Sequence, residues 1–544
     1  MNSDHLNKEQ QRLVADWETL QRIFIRPEDD ECKRTLVKYM EQILFGLNDF
    51  LNTHVGVTEE ISLLDLTRRF KATRICDHPE KKLADVISDI INELAPKAVN
   101  VASPYFIGHM TAAIPFFMVH LKAIVAALNQ NVIKLETSKV LSVLERQVLA
   151  KIHRLIFDQG ESFYQRHVQS TDTTLGAFTT GGTTANLTAL WVARNKLFPP
   201  SRGFPGIEAQ GLFAALKAHD LERVVVLVSR RGHYSLKKAG GILGIGSDNV
   251  IPVDVDQHHR IDLKKLNNLI GKLKKTGNTA IAAVVGIAGS TETGSVDPLE
   301  ALADLCETHG IHFHVDSAWG GPVLFSRRYA PLLKGIRRAD SVAMDGHKQF
   351  YLPMTSGMVY FRDPEAMEQV AYYSNYVNRR GSVDLGIKSL EGSREASSLI
   401  LDSALKIMGR QGYALMIDHG IETARGFADQ IRQRDLFEVV TQPELNILTY
   451  RVLPPPLKKR LASAGCEEKA DINRQLNRIN TVIQRKQREA GKSFVSRTSL
   501  RTNPDEVQMA VVFRSVLMNP MTDQAVLEEI LDEQEALYRT HFCF

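Results

Sequence analysis

The residues best able to do chemistry in this sequence follow directly after short apolar runs. Asp316 comes after the run 311–315, and the pair His347–Lys348 closes a segment that follows the run 341–344. A buried carboxylate needs a cation or hydrogen-bond donors, and a lysine beside a buried cofactor can form a Schiff base with an aldehyde. Each has a simpler interpretation when taken alone: Asp316 as a helix N-cap, and His347–Lys348 as ordinary surface residues.

The segment 179–186, Thr-Thr-Gly-Gly-Thr-Thr-Ala-Asn, has the composition of an anion site. Small residues precede an amphipathic helix whose first backbone N–H groups, with neighbouring hydroxyls, can bind a phosphate. Gly182 and Thr183 lie at its centre. The segment lacks both GxGxxG and Gly-Lys-Ser/Thr, so it is neither a dinucleotide fingerprint nor a P-loop. Alone, it is equally consistent with a glycine-rich turn and an ordinary N-cap.

Two further polar segments follow apolar runs in the same way. His233, in 232–235, follows the run 224–228, and Thr291 follows the run 281–287. A histidine at a strand end can stack on an aromatic ring, although a structural histidine is the simpler interpretation of His233 by itself. A phosphate site, a stacking histidine, a hydroxyl, a carboxylate and a lysine on successive strand ends are together what a pyridoxal phosphate site needs.

The elements that must position these residues are predicted by the middle of the chain. Short apolar runs rich in β-branched residues alternate there with helical patterns such as 185–197 and 299–309. This alternation is typical of an α/β protein with a mostly parallel central sheet covered on both faces, in which ligands bind beyond the carboxyl ends of the strands. The predicted strands are 224–228, 250–255, 281–287, 311–315, 342–344 and 358–361.

The two ends of the chain differ from this middle part. Residues 1 to about 100 are polar with apolar residues at helical spacing, which predicts helices. From about residue 400 a long helical stretch precedes segregated strands and helices, which predicts a smaller α+β domain. We therefore predict three parts: an N-terminal helical segment (1–118), an α/β domain that binds the cofactor (119–400) and a small C-terminal α+β domain (401–544).

The composition excludes several classes of protein. Among 544 residues, 67 Lys and Arg nearly balance 63 Asp and Glu, which argues against a nucleic-acid binder of the basic-patch kind. The longest apolar stretch, 114–128, is interrupted by His120 and Lys122 and is too short to span a membrane. The five cysteines are scattered without CxxC, so no metal site is predicted and a reducing cytoplasm is expected.

The motifs taken together resemble those of the group II pyridoxal-phosphate-dependent amino-acid decarboxylases. The resemblance runs from about Pro104 to the end of the chain and implies the fold of the aspartate aminotransferase-like, type I pyridoxal phosphate enzymes. The segments that carry it are 104–110, 129–131, 181–186, 232–233, 314–316 and 347–348.

The resemblance implies a role for each matched residue. Lys348 would form the Schiff base with pyridoxal 5'-phosphate, Asp316 would face the pyridine nitrogen, and His233 would stack on the ring and take part in catalysis. Tyr376, in a lid rich in Tyr, Asn, Arg and Gly, would return a proton to the substrate, with Tyr372 or Tyr373 as alternatives. The other residues expected to bind the cofactor are Gly182, Thr183, Thr291, Ala318 and His347.

The substrate implied by the resemblance is a small acidic amino acid. Phe106 and His109 would line its pocket, and Arg514 or Arg394 would bind the side-chain carboxylate, because guanidinium groups recognise carboxylates in a planar, bidentate way. A structural salt bridge is the alternative for each arginine. The sequence is most like the bacterial aspartate 1-decarboxylase branch, whose product β-alanine is a precursor of pantothenate and coenzyme A.

Other functions and a dimer complete these expectations. L-glutamate, giving 4-aminobutyrate, is the second candidate substrate, since it differs from aspartate by one methylene. An aminotransferase, a carbon–sulfur lyase or a scaffold without catalysis on the same fold are the alternative classes. The resemblance also implies a homodimer, in which the N-terminal segment packs against the other subunit.

Overall fold

A computed structural model of the chain describes residues 16–17, 29–53, 55–56, 63–374, 381–501 and 508–542. Its helices are α1 (Asp30–Leu51), α2 (Leu63–Arg69), α3 (Leu83–Asp89), α4 (Phe116–Leu128), α5 (Leu135–Ser138), α6 (Val140–Phe157), α7 (Glu161–His167), α8 (Gly182–Leu197), α9 (Ile207–Ala218), α10 (Tyr234–Ile242), α11 (Leu263–Thr276), α12 (Leu299–His309), α13 (Ser397–Arg432), α14 (Pro455–Ser463), α15 (Cys466–Ala490) and α16 (Gln524–Phe542). Its strands are β1 (Gly176–Thr179), β2 (Arg223–Ser229), β3 (Val250–Val253), β4 (Thr279–Ile287), β5 (Phe313–Asp316), β6 (Ser341–Asp345), β7 (Gly357–Phe361), β8 (Phe437–Thr441), β9 (Ile447–Val452), β10 (Ser496–Leu500) and β11 (Ala510–Val516).

A large sheet forms the centre of the described residues. Its seven strands lie in the order β1-β7-β6-β5-β4-β2-β3. Each neighbouring pair from β6 to β3 is parallel, whereas β7 is antiparallel to both β6 and β1. The parallel strands end at the same edge, so the residues that follow β2, β4, β5 and β6 come together there. The predicted α/β fold with a mostly parallel sheet is confirmed.

Helices cover both faces of this sheet. Successive side chains of a strand point to opposite faces, and the residues of β2 illustrate this. Val225 packs in the same cluster as Leu266 of α11, whereas Val226 packs with Leu190 of α8 on the other face. Burying an aliphatic side chain of this size stabilises the fold by about 1.5–3 kcal/mol. The strands are therefore apolar along their whole length, which is why they stand out in the sequence.

A smaller antiparallel sheet follows in the C-terminal part, with its four described strands in the order β10-β11-β9-β8. Helices α15 and α16 pack against it through buried residues such as Ile479 and Leu527, which meet Phe513 of β11. The same strand carries Arg514, so this packing determines where that guanidinium group lies.

Helix α1 is held at its C-terminal end by a residue later in the N-terminal part. The side chain of Asn100 donates hydrogen bonds to the carbonyl oxygens of Leu51 (3.1 Å) and Thr53 (3.0 Å) and so holds the end of α1. No residue of α1 is buried, although the helix carries several large apolar side chains. No helix in the described ranges is both long enough and apolar enough to cross a membrane.

Several details of the fold differ from the sequence predictions. The structure adds β1 and β8, which the apolar pattern did not indicate. The long C-terminal helix is interrupted at Gly409, whose φ of 62° is not helical. The division into 1–118, 119–400 and 401–544 stays a prediction; its limits fall inside α4 and α13.

Candidate active site

A crevice of about 380 Å³ opens at the carboxyl ends of the parallel strands. The residues that follow β2, β4, β5 and β6 contribute to it, as does the first turn of α8. Most of the predicted site residues are therefore brought together. They are His109, Gly182, Thr183, His233, Thr291, Asp316, Ala318, His347 and Lys348.

Asp316, the last residue of β5, is a buried carboxylate at the bottom of the crevice, with 6% of its surface exposed. Its Oδ2 accepts a hydrogen bond from Asn186 Nδ2 (2.9 Å), and its Oδ1 accepts one from the backbone N–H of Ala318 (3.1 Å). No ion pair to Asp316 occurs within the described ranges. A carboxylate that is buried, hydrogen-bonded and without a cation suits a protonated ring nitrogen in the crevice.

A chain of hydrogen bonds holds Asn186 against this carboxylate. His314 Nε2 donates to Asn186 Oδ1 (3.0 Å), and His314 Nδ1 accepts from the hydroxyl of Ser341 (2.9 Å). Burial lowers the pKa of His314 to about 4, so the ring is neutral at pH 7. Asn186 therefore keeps its amide group directed at Asp316. Sequence reasoning quoted Asn186 as part of the glycine-rich segment but gave it no role of its own.

The glycine-rich turn lies at the start of α8, which begins at Gly182 without a side-chain cap. The N–H of Gly182 donates to Asp345 (3.1 Å), so the N–H groups that follow it in the first turn are the ones that can bind an anion. Close packing shapes the turn from outside, because a Cβ at Gly357 of β7 would lie 2.5 Å from backbone atoms of Gly181. A Cβ at Gly182 would meet Ala318 at 3.1 Å. The space available thus requires glycine at position 357, whereas at position 182 a Cβ would be tight.

Lys348 lies next to a second buried carboxylate, that of Asp345 at the end of β6. Its Nζ is 3.7 Å from Asp345 Oδ2, which also accepts a hydrogen bond from the Gly182 N–H (3.1 Å). Asp345 Oδ1 lies 2.8 Å from His347 Nδ1. Asp345 thus joins the lysine, the histidine and the glycine-rich turn. Its place directly after an apolar run is the signal that could have identified it from the sequence.

His233 is the N-cap residue of α10 and lines the crevice. Its Nδ1 lies 2.8 Å from the hydroxyl of Ser235 and accepts from the Ser235 N–H (3.3 Å). Burial lowers the pKa of His233, while the charge of Asp316 opposes that shift. A flat, neutral imidazole fixed at a helix start can stack on an aromatic ring.

Arg514 lies behind the loop that carries Thr291. Its Nε donates to the carbonyl oxygen of Thr291 (2.6 Å), and its Nη1 donates to the carbonyl oxygen of Gly108 (3.2 Å) and to the hydroxyl of Ser496 (3.3 Å). Burial lowers the pKa of Arg514 to about 10. Arg514 forms no ion pair among the described residues, so it is a buried cation without a direct counter-charge.

The predicted pocket residues Phe106 and His109 flank this arginine's partner Gly108. Phe106 stacks on Phe494, with ring centroids 5.1 Å apart, and a Cβ at Gly108 would lie 2.5 Å from the same ring. His109 lines the crevice itself, and burial lowers its pKa, with Arg514 adding to the effect. The strand-like segment 106–109 is thus held against β10.

Arg394 lies apart from the crevice. Its two Nη atoms donate to the carboxylate of Glu145, one of them at 2.8 Å, and both side chains are almost fully buried. Glu145 supplies both oxygens of a bidentate pair, so the guanidinium group has its carboxylate within the chain. The structure therefore does not bring Arg394 together with the other predicted site residues. Arg394 forms a structural salt bridge with Glu145, which was the alternative interpretation.

The lid tyrosine Tyr376 lies outside the described residues. Its two alternatives lie on the chain just before it. Tyr372 donates a hydrogen bond to Glu208, which raises the pKa of its hydroxyl, and Tyr373 donates to Glu368 (3.2 Å). Neither of them lines the crevice.

The crevice suits pyridoxal phosphate in three separate respects. It has a helix start without an N-cap side chain for a phosphate, a buried carboxylate without a cation for a ring nitrogen, and a lysine for an aldehyde. Within the described residues, no group of three or more His, Cys, Asp or Glu side chains could hold a metal ion. The fold and the crevice together define a pyridoxal-phosphate-dependent enzyme of fold type I.

Comparisons with known proteins specify the family. The model of the "Pyridoxal-dependent decarboxylase conserved domain" matches residues 66–453, and the chain belongs to this family of group II decarboxylases. It is 46% identical over 523 residues to an aspartate 1-decarboxylase of Aliivibrio fischeri (strain ATCC 700601 / ES114), covering 96% of this chain and 95% of the relative. It is 28% identical over 469 residues to the acidic amino acid decarboxylase GADL1 of Xenopus tropicalis (85% and 83%).

A solved structure agrees with these relatives. The crystal structure of mouse CSAD in apo form superposes with a TM-score of 0.78 at 26% identity, covering 92% of this chain and 99% of that one. The chain is therefore an amino-acid carboxy-lyase with pyridoxal phosphate as its cofactor. This confirms the enzyme class and the cofactor predicted from the sequence, ahead of an aminotransferase, a carbon–sulfur lyase or a scaffold.

Proposed function

We propose that this protein decarboxylates L-aspartate to β-alanine and carbon dioxide, a product that supplies pantothenate and coenzyme A synthesis. The observation that carries the acidic substrate is Arg514, which is 8% exposed beside the crevice and has no carboxylate partner among the described residues. A buried cation without a counter-charge favours an anionic ligand. The similarity to an aspartate 1-decarboxylase supports aspartate ahead of glutamate.

The chain's own residues then divide the work of the reaction. The cofactor, when bound, supplies the ring that takes up the electrons left by carbon dioxide. Asp316 would keep a proton on the ring nitrogen, since it lies buried with two donors and needs a cationic partner. His233 would cover one face of the ring, and the first turn of α8 with Gly182 and Thr183 would hold the phosphate.

Proton movement and orientation fall to other groups. Lys348, with Asp345 beside its Nζ, would hold the cofactor through its aldehyde. Thr291, Ala318 and His347 would line the remaining cofactor surface. We assign the proton returned to the substrate carbon to Tyr376, on sequence alone. Orientation of the scissile bond relative to the ring is the main kinetic contribution of such a site.

A homodimer in the cytoplasm is part of the same proposal. Its support is the exposed apolar surface of the single chain, because a helix with an apolar stripe and no buried residue needs a partner. On α1 this stripe comprises Leu36, Val37, Met40, Leu44 and Phe45, all more than 40% exposed. A second patch on α4 includes Phe116 at 78% exposure.

The test is the release of carbon dioxide from aspartate, glutamate, cysteine sulfinate and 2,4-diaminobutyrate in parallel, with product amines identified by mass spectrometry. We expect the largest kcat/KM for aspartate, by about 10- to 200-fold over glutamate, the range that one methylene provides. A higher value for glutamate would assign the 4-aminobutyrate reaction instead. Release from diaminobutyrate alone would contradict an acidic substrate altogether.

A further inference from the structure

Arg231 is a second buried cation in the wall of the crevice. It follows β2 and lies two residues before His233, and 9% of its surface is exposed. Its side chain lines the crevice on one side and a separate cavity of about 270 Å³ on the other. The neighbouring Arg230 differs, since its side chain is half exposed and pairs with Asp254. Only the buried arginine of this pair belongs to the active-site crevice.

The contacts of Arg231 use two of the five N–H groups of its guanidinium group. Its Nη1 lies 2.5 Å from Glu292 Oε2, and its Nη2 lies 3.2 Å from Nδ1 of His259. Burial lowers the pKa of His259 to about 4, with Arg231 adding to the effect, so this ring nitrogen is an acceptor. Within the described residues, one N–H on each Nη and the N–H on Nε have no hydrogen-bond partner, and Nε is buried. A buried N–H without an acceptor is costly, so an oxygen atom of a ligand would satisfy it.

Arg231 and Arg514 contact two consecutive residues, Glu292 and Thr291. Arg514 donates to the carbonyl oxygen of Thr291, while the next residue, Glu292, pairs with Arg231. The charge of Glu292 also acts on Arg514, whose pKa it raises against the effect of burial. Glu292 thus pairs directly with Arg231 and acts on Arg514 only through its charge. A second carboxylate from a substrate would balance the charges of this group.

The chemistry of decarboxylation indicates which carboxylate that is. The α-carboxylate leaves as neutral carbon dioxide, so a strong cation on it would stabilise the ground state and slow the reaction. The side-chain carboxylate keeps its charge throughout, so binding it does not oppose the chemistry. Cations in this crevice are therefore best placed on the side-chain carboxylate.

We propose that Arg231 is a specificity-determining residue that binds the side-chain carboxylate of the substrate together with Arg514, and that Glu292 weakens this binding by competing for both arginines. The inference rests on the proposed function, because it specifies how the same site recognises an acidic substrate. The carboxylate of the substrate would accept from donors of Arg231 that have no partner in the chain, and the ion pair with Glu292 would fix the guanidinium group in place.

The test measures binding without turnover. The holoenzyme is titrated calorimetrically with succinate, which carries both carboxylates but no amine, and with its diamide succinamide, which carries no charge. Arg231→Gln should lower the affinity for succinate about tenfold and leave that for succinamide unchanged, as expected for one lost charge-assisted hydrogen bond. Arg231→Lys should restore part of the loss. Arg230→Gln, which removes the exposed neighbouring ion pair, is the matched control and should change neither affinity.

Glu292→Gln should change the affinity for succinate in the opposite direction. It therefore tests the proposal even if the Arg231 variants do not fold. It should strengthen succinate binding several-fold, because the two arginines lose their internal competitor. Equal effects of Arg231→Gln on both ligands, or weaker succinate binding in Glu292→Gln, would overturn the proposal. If aspartate is not decarboxylated but succinate preference still depends on Arg231, the proposed function fails alone. If aspartate is decarboxylated but Arg231→Gln leaves the affinity for succinate unchanged, the role of Arg231 is refuted and the proposed function stands.

Discussion

Replacing Asn186 by alanine should weaken cofactor binding, because the Asn186 side chain holds two residues that lie far from it in the sequence, His314 and Asp316. The side chain connects Asp316 Oδ2 (2.9 Å) with His314 Nε2 (3.0 Å), and all three groups are buried. Alanine removes both of these hydrogen bonds at once, together with the one that Asn186 Nδ2 donates to the hydroxyl of Ser235 (3.2 Å). The carboxylate then keeps one donor, and the neutral histidine loses its acceptor.

The size of the effect follows from these two losses. A lost hydrogen bond to a charged group costs about 1.5–3 kcal/mol, and a buried donor left without an acceptor costs about 1–3 kcal/mol. We expect Asn186→Ala to lower the free energy of unfolding by about 3 kcal/mol, since water entering the new space satisfies part of the loss. The carboxylate is also less well oriented, so pyridoxal phosphate should dissociate more readily.

Two measurements separate these effects. Urea unfolding of the apoenzyme gives the stability, and absorbance titration with pyridoxal phosphate gives the affinity. Asn195→Ala is the matched control, because Asn195 lies on the same helix α8, is equally buried and bonds to Glu208 and Gln369 away from the crevice. Both variants should lose stability, and only Asn186→Ala should lose affinity. Equal affinity in the two variants would refute the role given to the Asn186–Asp316 contact.

Three further changes probe the lysine, the arginine and the buried histidine. Lys348→Ala should leave pyridoxal phosphate unattached, so that borohydride no longer fixes it to the protein in a mass spectrum; attachment elsewhere would contradict the lysine's role. Arg514→Met should lower kcat/KM for aspartate about 100-fold and for neutral 2-aminobutyrate far less; equal losses would indicate a structural arginine. The pKa of His314 is about 4 when folded and 6.5 otherwise, so acid favours the unfolded chain, which takes up the proton first. Its share of stability, about 2 kcal/mol, should be lost between pH 7 and 5, and His314→Gln should flatten the urea-unfolding profile; an unchanged slope would contradict this.

The sequence predicted the parallel strands because each of them is buried on both faces and therefore apolar throughout. β1, Gly176–Thr179, has the sequence Gly-Ala-Phe-Thr, so it contains a single large apolar residue and no apolar run marked it in the sequence. β7 was predicted as a strand, but its antiparallel direction depends on a loop and not on its composition. Pairing directions are properties of the assembled sheet.

The site was predictable where chemistry follows a strand end and not where it depends on partners far away in the chain. Asp316, Lys348 and His233 each follow an apolar run, and the crevice brings them together as expected. Arg394 could not be distinguished from a ligand-binding arginine, because its partner Glu145 lies on α6. Arg231 was hidden for the same reason, since an Arg-Arg pair in a sequence resembles ordinary solvent-exposed charge.

The contact between Gly357 and Gly181 has a consequence for how this chain can vary. Position 357 begins a buried strand, where β-branched residues are usually favoured, yet any side chain there would meet the backbone of the glycine-rich turn at 2.5 Å. In a library that samples all amino acids at every position of β7, position 357 should therefore tolerate glycine alone. Its neighbours Met358 and Val359 should accept other apolar residues. The phosphate turn thus imposes a restriction on a strand that contributes no atom to the chemistry.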